Sequence, residues 1–171
     1  MRLRHPILIG ALAVALLDIV EPVIFYALRG VQPIRVFQGV AAGWLGRDSF
    51  AGGLPTALVG AATHLFIATI VVTVYWIASQ KFPMLTRRPV ASGIVYGLAV
   101  YVMMTFVVVP LSAAGAGIRI PPPVLLANGI FAHLVCVGLP TAFIVRAGSA
   151  DAPSGTDALN ATTRRAPPES A

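Results

Sequence analysis

The sequence predicts an all-α protein, a four-helix transmembrane bundle with a short interfacial helix in its first external loop. Of its 171 residues, 57% are hydrophobic and only 11% are charged, whereas soluble domains carry about 25% charged residues. About 20 apolar residues are needed to cross roughly 30 Å of hydrocarbon. Four stretches within one predicted domain, residues 1–146, meet that requirement: 7–28, 54–79, 90–111 and 124–145.

The first span follows Arg2 and Arg4, an arrangement that also precedes the apolar core of a signal peptide. The apolar run is too long for such a core, and Asp18 and Glu21 interrupt it. We therefore expect a retained membrane helix.

The first external connection, residues 29–53, is too long for a simple turn. Its centre, residues 34–45, is apolar but too short to cross a bilayer. A helix lying in the membrane interface is expected there, with Trp44 at headgroup depth, since amphipathic aromatic side chains prefer that position.

Prolines mark the starts of the remaining spans: Pro55, Pro89 and the run Pro121–Pro123. Proline is tolerated in a first helical turn because its missing N–H group would have no partner there. Pro22 and Pro140 lie inside spans, where we expect local kinks.

The basic residues predict the orientation, because Lys and Arg concentrate in cytoplasmic segments. Eight lie on one side and four on the other, which places both termini in the cytoplasm. Residues 147–171 are rich in Ala, Ser, Thr, Pro and Gly, and we expect a disordered cytoplasmic tail. The eight are Arg2, Arg4, Lys81, Arg87, Arg88, Arg146, Arg164 and Arg165; the four are Arg29, Arg35, Arg47 and Arg119.

Small residues predict which helix faces pack together, because membrane helices associate by close contact of small side chains. Gly93 and Gly97 in the third span have GxxxG spacing. Small-residue stripes in the second and fourth spans include His64 and His133, so these histidines are expected to point into the bundle.

Four ionisable residues, Asp18, Glu21, His64 and His133, lie within the spans. Asp18 is ten residues before the external end of the first span. His64 is ten residues after the external start of the second span, and His133 is nine residues after that of the fourth. A rise of 1.5 Å per residue places all three about 14–15 Å below the external surface. We therefore predict one intramembrane polar cluster, with Asp18 and Glu21 sharing a helix face.

Three interpretations of this cluster are open. It is a structural set of hydrogen bonds that fixes the bundle, a pathway for protons or a small solute, or a ligand set in which His64 and His133 hold haem iron or a divalent metal. No cofactor is needed for the first two interpretations.

Supporting residues of the cluster are Tyr96, Tyr101 and Cys136. The chain carries no recognisable nucleophile–base set, phosphate loop or dinucleotide motif, so an enzyme is disfavoured. The basic residues are scattered through short connections, which speaks against nucleic acid as a partner. The expected partners are the lipid bilayer and a second copy or another membrane subunit.

Two segments resemble the YagU-like (DUF1440) family of small bacterial inner-membrane proteins. They are the run 63–68, which continues through Tyr75 to Lys81-Phe82-Pro83, and the run 130–135; Pro110-Leu111 is also similar. The resemblance maps onto His64 and His133 but gives less support for Asp18 and Glu21. It implies a bacterial cytoplasmic membrane protein associated with acid resistance, without a biochemical mechanism.

Overall fold

The computed structural model describes residues 6–115, 117–118 and 120–149, and within these residues the chain is helical with no strand. Four of its helices are long and apolar enough to cross a membrane. The protein is thus a multi-pass membrane protein, and the predicted fold class is confirmed. The helices are α1 (Pro6–Ala27), α2 (Pro33–Leu45), α3 (Gly53–Lys81), α4 (Met84–Arg87), α5 (Pro89–Leu111) and α6 (Pro123–Ser149), with a 3₁₀ turn at Gly46–Phe50.

The helix ends follow the local sequence. Pro33, Pro89 and Pro123 each occupy a first helical position, where the missing N–H costs no hydrogen bond. The four long helices match the predicted spans to within four residues at each end. α6 continues to Ser149, three residues into the segment expected to be disordered, and the rest of that tail lies outside the described residues.

In the bundle, α1 lies between α3 and α6, and α6 lies between α1 and α5. α3 contacts α5 through tyrosines: the Tyr96 hydroxyl donates to the Val71 carbonyl at 2.6 Å, and the Tyr96 ring meets Tyr75 edge-on. One end of the bundle carries Lys81, Arg87, Arg88 and Arg146 and is called the basic end. The opposite end, which holds α2, is called the loop end.

The interior is built mostly from small and medium side chains together with the buried Tyr75 and Tyr101, whereas many large aliphatic side chains point outward. Ala15, Ala68, Val72 and Val137 form one buried cluster with Val14. Outside, Leu12, Leu16, Ile24, Leu58, Val95 and other large hydrophobic residues are exposed. Such an apolar exterior is costly in water and suits lipid, where close packing of small residues holds helices together.

A close backbone contact joins α5 to α6 through glycine. A Cβ atom at Gly93 would lie 2.9 Å from the Gly138 carbonyl oxygen, and one at Gly97 would collide with the His133 carbonyl. The GxxxG pair therefore lies at a helix contact, directly against the α6 segment that carries a cluster histidine.

That segment of α6 is a π-helical turn, His133–Gly138, and α5 contains a second one at Met104–Val108. Each ends two residues before a proline, Pro140 or Pro110. Because a proline ring clashes with the carbonyl four residues earlier, a wider turn relieves the conflict without ending the helix. The sequence predicts a local kink in the helix at Pro140 but not the π-helical turn that precedes it. At Pro22, where a kink is also predicted, α1 continues as one helix.

The predicted loop helix is present as α2, and it packs on the first half of α3. Gly60 permits this, since a Cβ there would collide with the Phe37 carbonyl. The side chain of Gln38 is buried and donates to the Gly53 carbonyl at 3.0 Å, and Trp44 Nε1–H donates to Thr63 Oγ1 at 3.0 Å. These contacts anchor α2 to the loop end of the bundle.

Candidate functional site: a polar cluster between α1, α3 and α6

His64 of α3 meets Asp18 and the backbone of α1. Its Nε2 atom lies 3.0 Å from the Ala15 carbonyl oxygen and 3.9 Å from Asp18 Oδ2. The two side chains are only 14% (His64) and 21% (Asp18) exposed. A carbonyl oxygen can only accept, so the bond to Ala15 requires a proton on Nε2. The same nitrogen lies near the Asp18 carboxylate, at the outer distance limit of an ion pair.

Glu21 lies three residues after Asp18, on the same side of α1 and nearer the loop end. Its Oε2 atom accepts a hydrogen bond of 3.4 Å from Asn128 Nδ2 of α6. Asp18 and His133 both lie within electrostatic range of the Glu21 carboxylate. A second helix pair, α1 and α6, therefore holds the second carboxylate.

Asn128 is a member of the cluster that the sequence did not predict, although a signal for it is present. It is an amide within an apolar span, and it lies four residues before Ala132 and eight before Cys136, which belong with His133 to the small-residue stripe of that span. A polar side chain on such a stripe is expected to find a partner across the helix interface.

His133 lies at the first residue of the π-helical turn of α6. Its Nδ1 atom is 2.9 Å from the Gly129 carbonyl, which again requires a proton on that nitrogen. Among the described residues, no hydrogen bond joins its ring to either carboxylate. His133 therefore lies in the neighbourhood of Glu21 without a direct bond to it, whereas His64 approaches Asp18 to 3.9 Å.

The three predicted supporting residues divide between two places. The Tyr101 ring meets the His133 ring edge-on at 5.3 Å, and its buried hydroxyl has no hydrogen-bond partner among the described residues. The Cys136 thiol lies within electrostatic range of Asp18 and Glu21. Tyr96, in contrast, bonds to Val71 and packs on Tyr75, so it contributes to the α3–α5 contact.

The side chains of the cluster are also candidate metal ligands, because imidazole and carboxylate groups bind divalent metals. Within the part of the chain that the structure describes, no group of three or more His, Cys, Asp or Glu side chains is arranged to hold a metal ion. Each imidazole has one nitrogen bonded to a backbone carbonyl, which leaves Nδ1 of His64 and Nε2 of His133 for any other partner. The cluster thus combines two carboxylates with two imidazoles, drawn from α1, α3 and α6.

Comparison of the chain with protein-family models, curated proteins and solved structures finds no match. The resemblance to the YagU-like family accordingly stays a prediction, and the candidate site rests on its geometry.

Proposed function

We propose that this protein is a non-enzymatic component of the bacterial cytoplasmic membrane that takes up and passes protons under acid or related stress. The observation that carries the proposal is the Asp18–His64 pair, which joins two membrane-spanning helices at a separation of 3.9 Å. Glu21 and His133 extend the pair toward α6.

All four ionisable groups belong to helices that are long and apolar enough to cross the membrane. A charged side chain at the centre of a membrane helix costs roughly 2.5–3.5 kcal/mol on insertion scales, so such residues are rare and usually face a partner or a watery cavity. Here two carboxylates and two imidazoles come from three helices and lie near one another. Chains of carboxyl and imidazole groups are the usual materials of intramembrane proton relays.

A direction of entry follows from the proposed orientation. The basic end is assigned to the cytoplasm because Lys81, Arg87, Arg88 and Arg146 lie there. Glu21 is then closer to the outside than Asp18 and His64. A proton from an acidic exterior reaches Glu21 first and passes to the deeper pair.

The test is proton flux in liposomes that contain the purified protein and a trapped pH indicator. We expect a wild-type flux that falls to the level of empty liposomes in Asp18→Asn and His64→Gln. The matched control is Asp48→Asn, which makes the same change on an exposed carboxylate of the 3₁₀ turn and is expected to keep the flux. Absence of flux in the wild type removes the relay hypothesis.

The same preparation separates the other interpretations. A structural or partner-binding subunit predicts that His64→Ala and His133→Ala lower stability and leave flux unchanged. A haem protein predicts a Soret absorption band that is lost in the same variants, and a metal protein predicts stoichiometric metal by elemental analysis.

A further inference from the structure

An open groove lies at the basic end, between the start of α5 and the end of α6. It has a volume of about 500 Å³. Its walls include Val90, Ile94 and Phe143, and its lining also includes Arg88 and Arg146. Arg88 directly precedes α5 and Arg146 lies in the last turn of α6, so both belong to the rim of the spanning region.

The charge around this groove is positive, and no carboxylate neutralises it within the part of the chain that the structure describes. The acidic residues that the structure describes are Asp18, Glu21 and Asp48, which lie in the polar cluster and in the 3₁₀ turn. No ion pair involves Arg88 or Arg146 in the described ranges. Arg87 and Lys81, at the same end, add to the positive charge.

The walls of the groove are apolar and remain accessible. Val90 is 53%, Ile94 41% and Phe143 46% exposed. A soluble anion would contact the two guanidinium groups but would leave this apolar surface uncovered. A molecule with an anionic head and a hydrocarbon chain fits both parts.

We propose that the groove binds an anionic phospholipid, with its phosphate at Arg88 and Arg146 and an acyl chain along Val90, Ile94 and Phe143. Arginine recognises phosphate oxygens with paired N–H donors. Basic pockets between membrane helices at a cytoplasmic surface commonly receive anionic headgroups. This inference is independent of the proton-relay function.

The experiment is native mass spectrometry of the full chain in neutral detergent, titrated with phosphatidylglycerol or phosphatidylcholine. We expect phosphatidylglycerol to bind more tightly than phosphatidylcholine to the wild type. Each of R88Q and R146Q should lower the affinity for phosphatidylglycerol by about fivefold. A basic residue near an anionic headgroup contributes about that factor to the binding constant. The matched control is R47Q, an exposed arginine at the loop end, which should leave binding unchanged.

Three results would overturn the proposal. They are equal binding of the two lipids to the wild type, an equal loss of binding in R47Q, and full displacement of the lipid by soluble glycerol phosphate, which would identify a plain anion site. Circular dichroism checks that the glutamine variants are folded. Should they not fold, the wild type alone decides: the preference for phosphatidylglycerol must weaken as salt concentration rises.

Discussion

At the level of single side chains, His64 Nε2–H donates to the Ala15 carbonyl of α1 at 3.0 Å, and the same nitrogen lies 3.9 Å from the Asp18 carboxylate. The hydrogen bond fixes the ring and its tautomer. The carboxylate places a titratable group beside the same nitrogen. Loss of either partner leaves a partly buried polar group without its neighbour, which is costly in a bilayer.

The Asp18–His64 interaction is testable by a double-mutant cycle with Asp18→Asn, His64→Gln and the double variant. We expect the two single changes to be coupled by about 0.5–1.5 kcal/mol in the free energy of unfolding, as for other polar pairs between membrane helices. The measurement is reversible unfolding in mixed micelles. Strict additivity of the two changes would show that the side chains do not interact.

The two tyrosines of α5 offer a matched pair of hydroxyl deletions. The Tyr96 hydroxyl donates to Val71 at 2.6 Å, whereas the buried Tyr101 hydroxyl has no partner among the described residues. Tyr96→Phe should destabilise the protein by about 1 kcal/mol, and Tyr101→Phe should be neutral or stabilising, because an unpaired buried hydroxyl is already unfavourable. Thermal unfolding of both variants checks this, and the opposite order would contradict the assigned contacts.

At the level of helices, the α5–α6 contact depends on Gly93, Gly97 and Gly138, whose missing side chains allow the backbones to touch. The contact lies on the π-helical turn His133–Gly138. The packing of α5 therefore supports the segment from which His133 projects. A change at this contact is expected to affect the cluster as well as stability.

Gly97→Ala should lower the free energy of unfolding by about 1–3 kcal/mol, the usual cost of inserting a methyl group into a filled contact. Its matched control is Gly39→Ala, because a Cβ at that α2 position meets nothing within 4 Å. Chemical denaturation of both variants measures the difference. Equal stability of Gly97→Ala and wild type would contradict the close contact.

Much of the architecture is readable from the sequence because its causes are local. Apolar length determines the four spans, prolines mark their starts, and Gly93 and Gly97 indicate a close-packed face. The candidate cluster was also predicted, since equal depth follows from counting residues. The Glu21–Asn128 bond and the Tyr96–Val71 bond depend on helix rotation and on which helices are neighbours, and neither is encoded in a single helix.

At the level of the whole molecule, the distribution of charge relates the bundle to the bilayer. Lys81, Arg87, Arg88 and Arg146 lie together at the basic end, and α2 covers part of the loop end. In the proposed orientation, the basic end faces the cytoplasm. The cytoplasmic position of the lipid groove and the entry path to Glu21 both depend on it. The orientation therefore has a test of its own.

In a Cys136→Ala background, Asp48→Cys and Lys81→Cys place single thiols at opposite ends of the molecule. A membrane-impermeant maleimide applied to intact spheroplasts should label the Asp48→Cys variant at once. The Lys81→Cys variant should be labelled only after the membrane is permeabilised. The reverse pattern would contradict the proposed orientation.

The most direct test of the proposed function is infrared spectroscopy of the protein in lipid bilayers as the pH is changed. We predict a protonated-carboxyl band that grows as pH falls, loses one component in Asp18→Asn and shifts in His64→Gln, while Asp48→Asn leaves those cluster components unchanged. A wild-type spectrum in which the Asp18 carboxyl shows no change of protonation across the accessible pH range would contradict it.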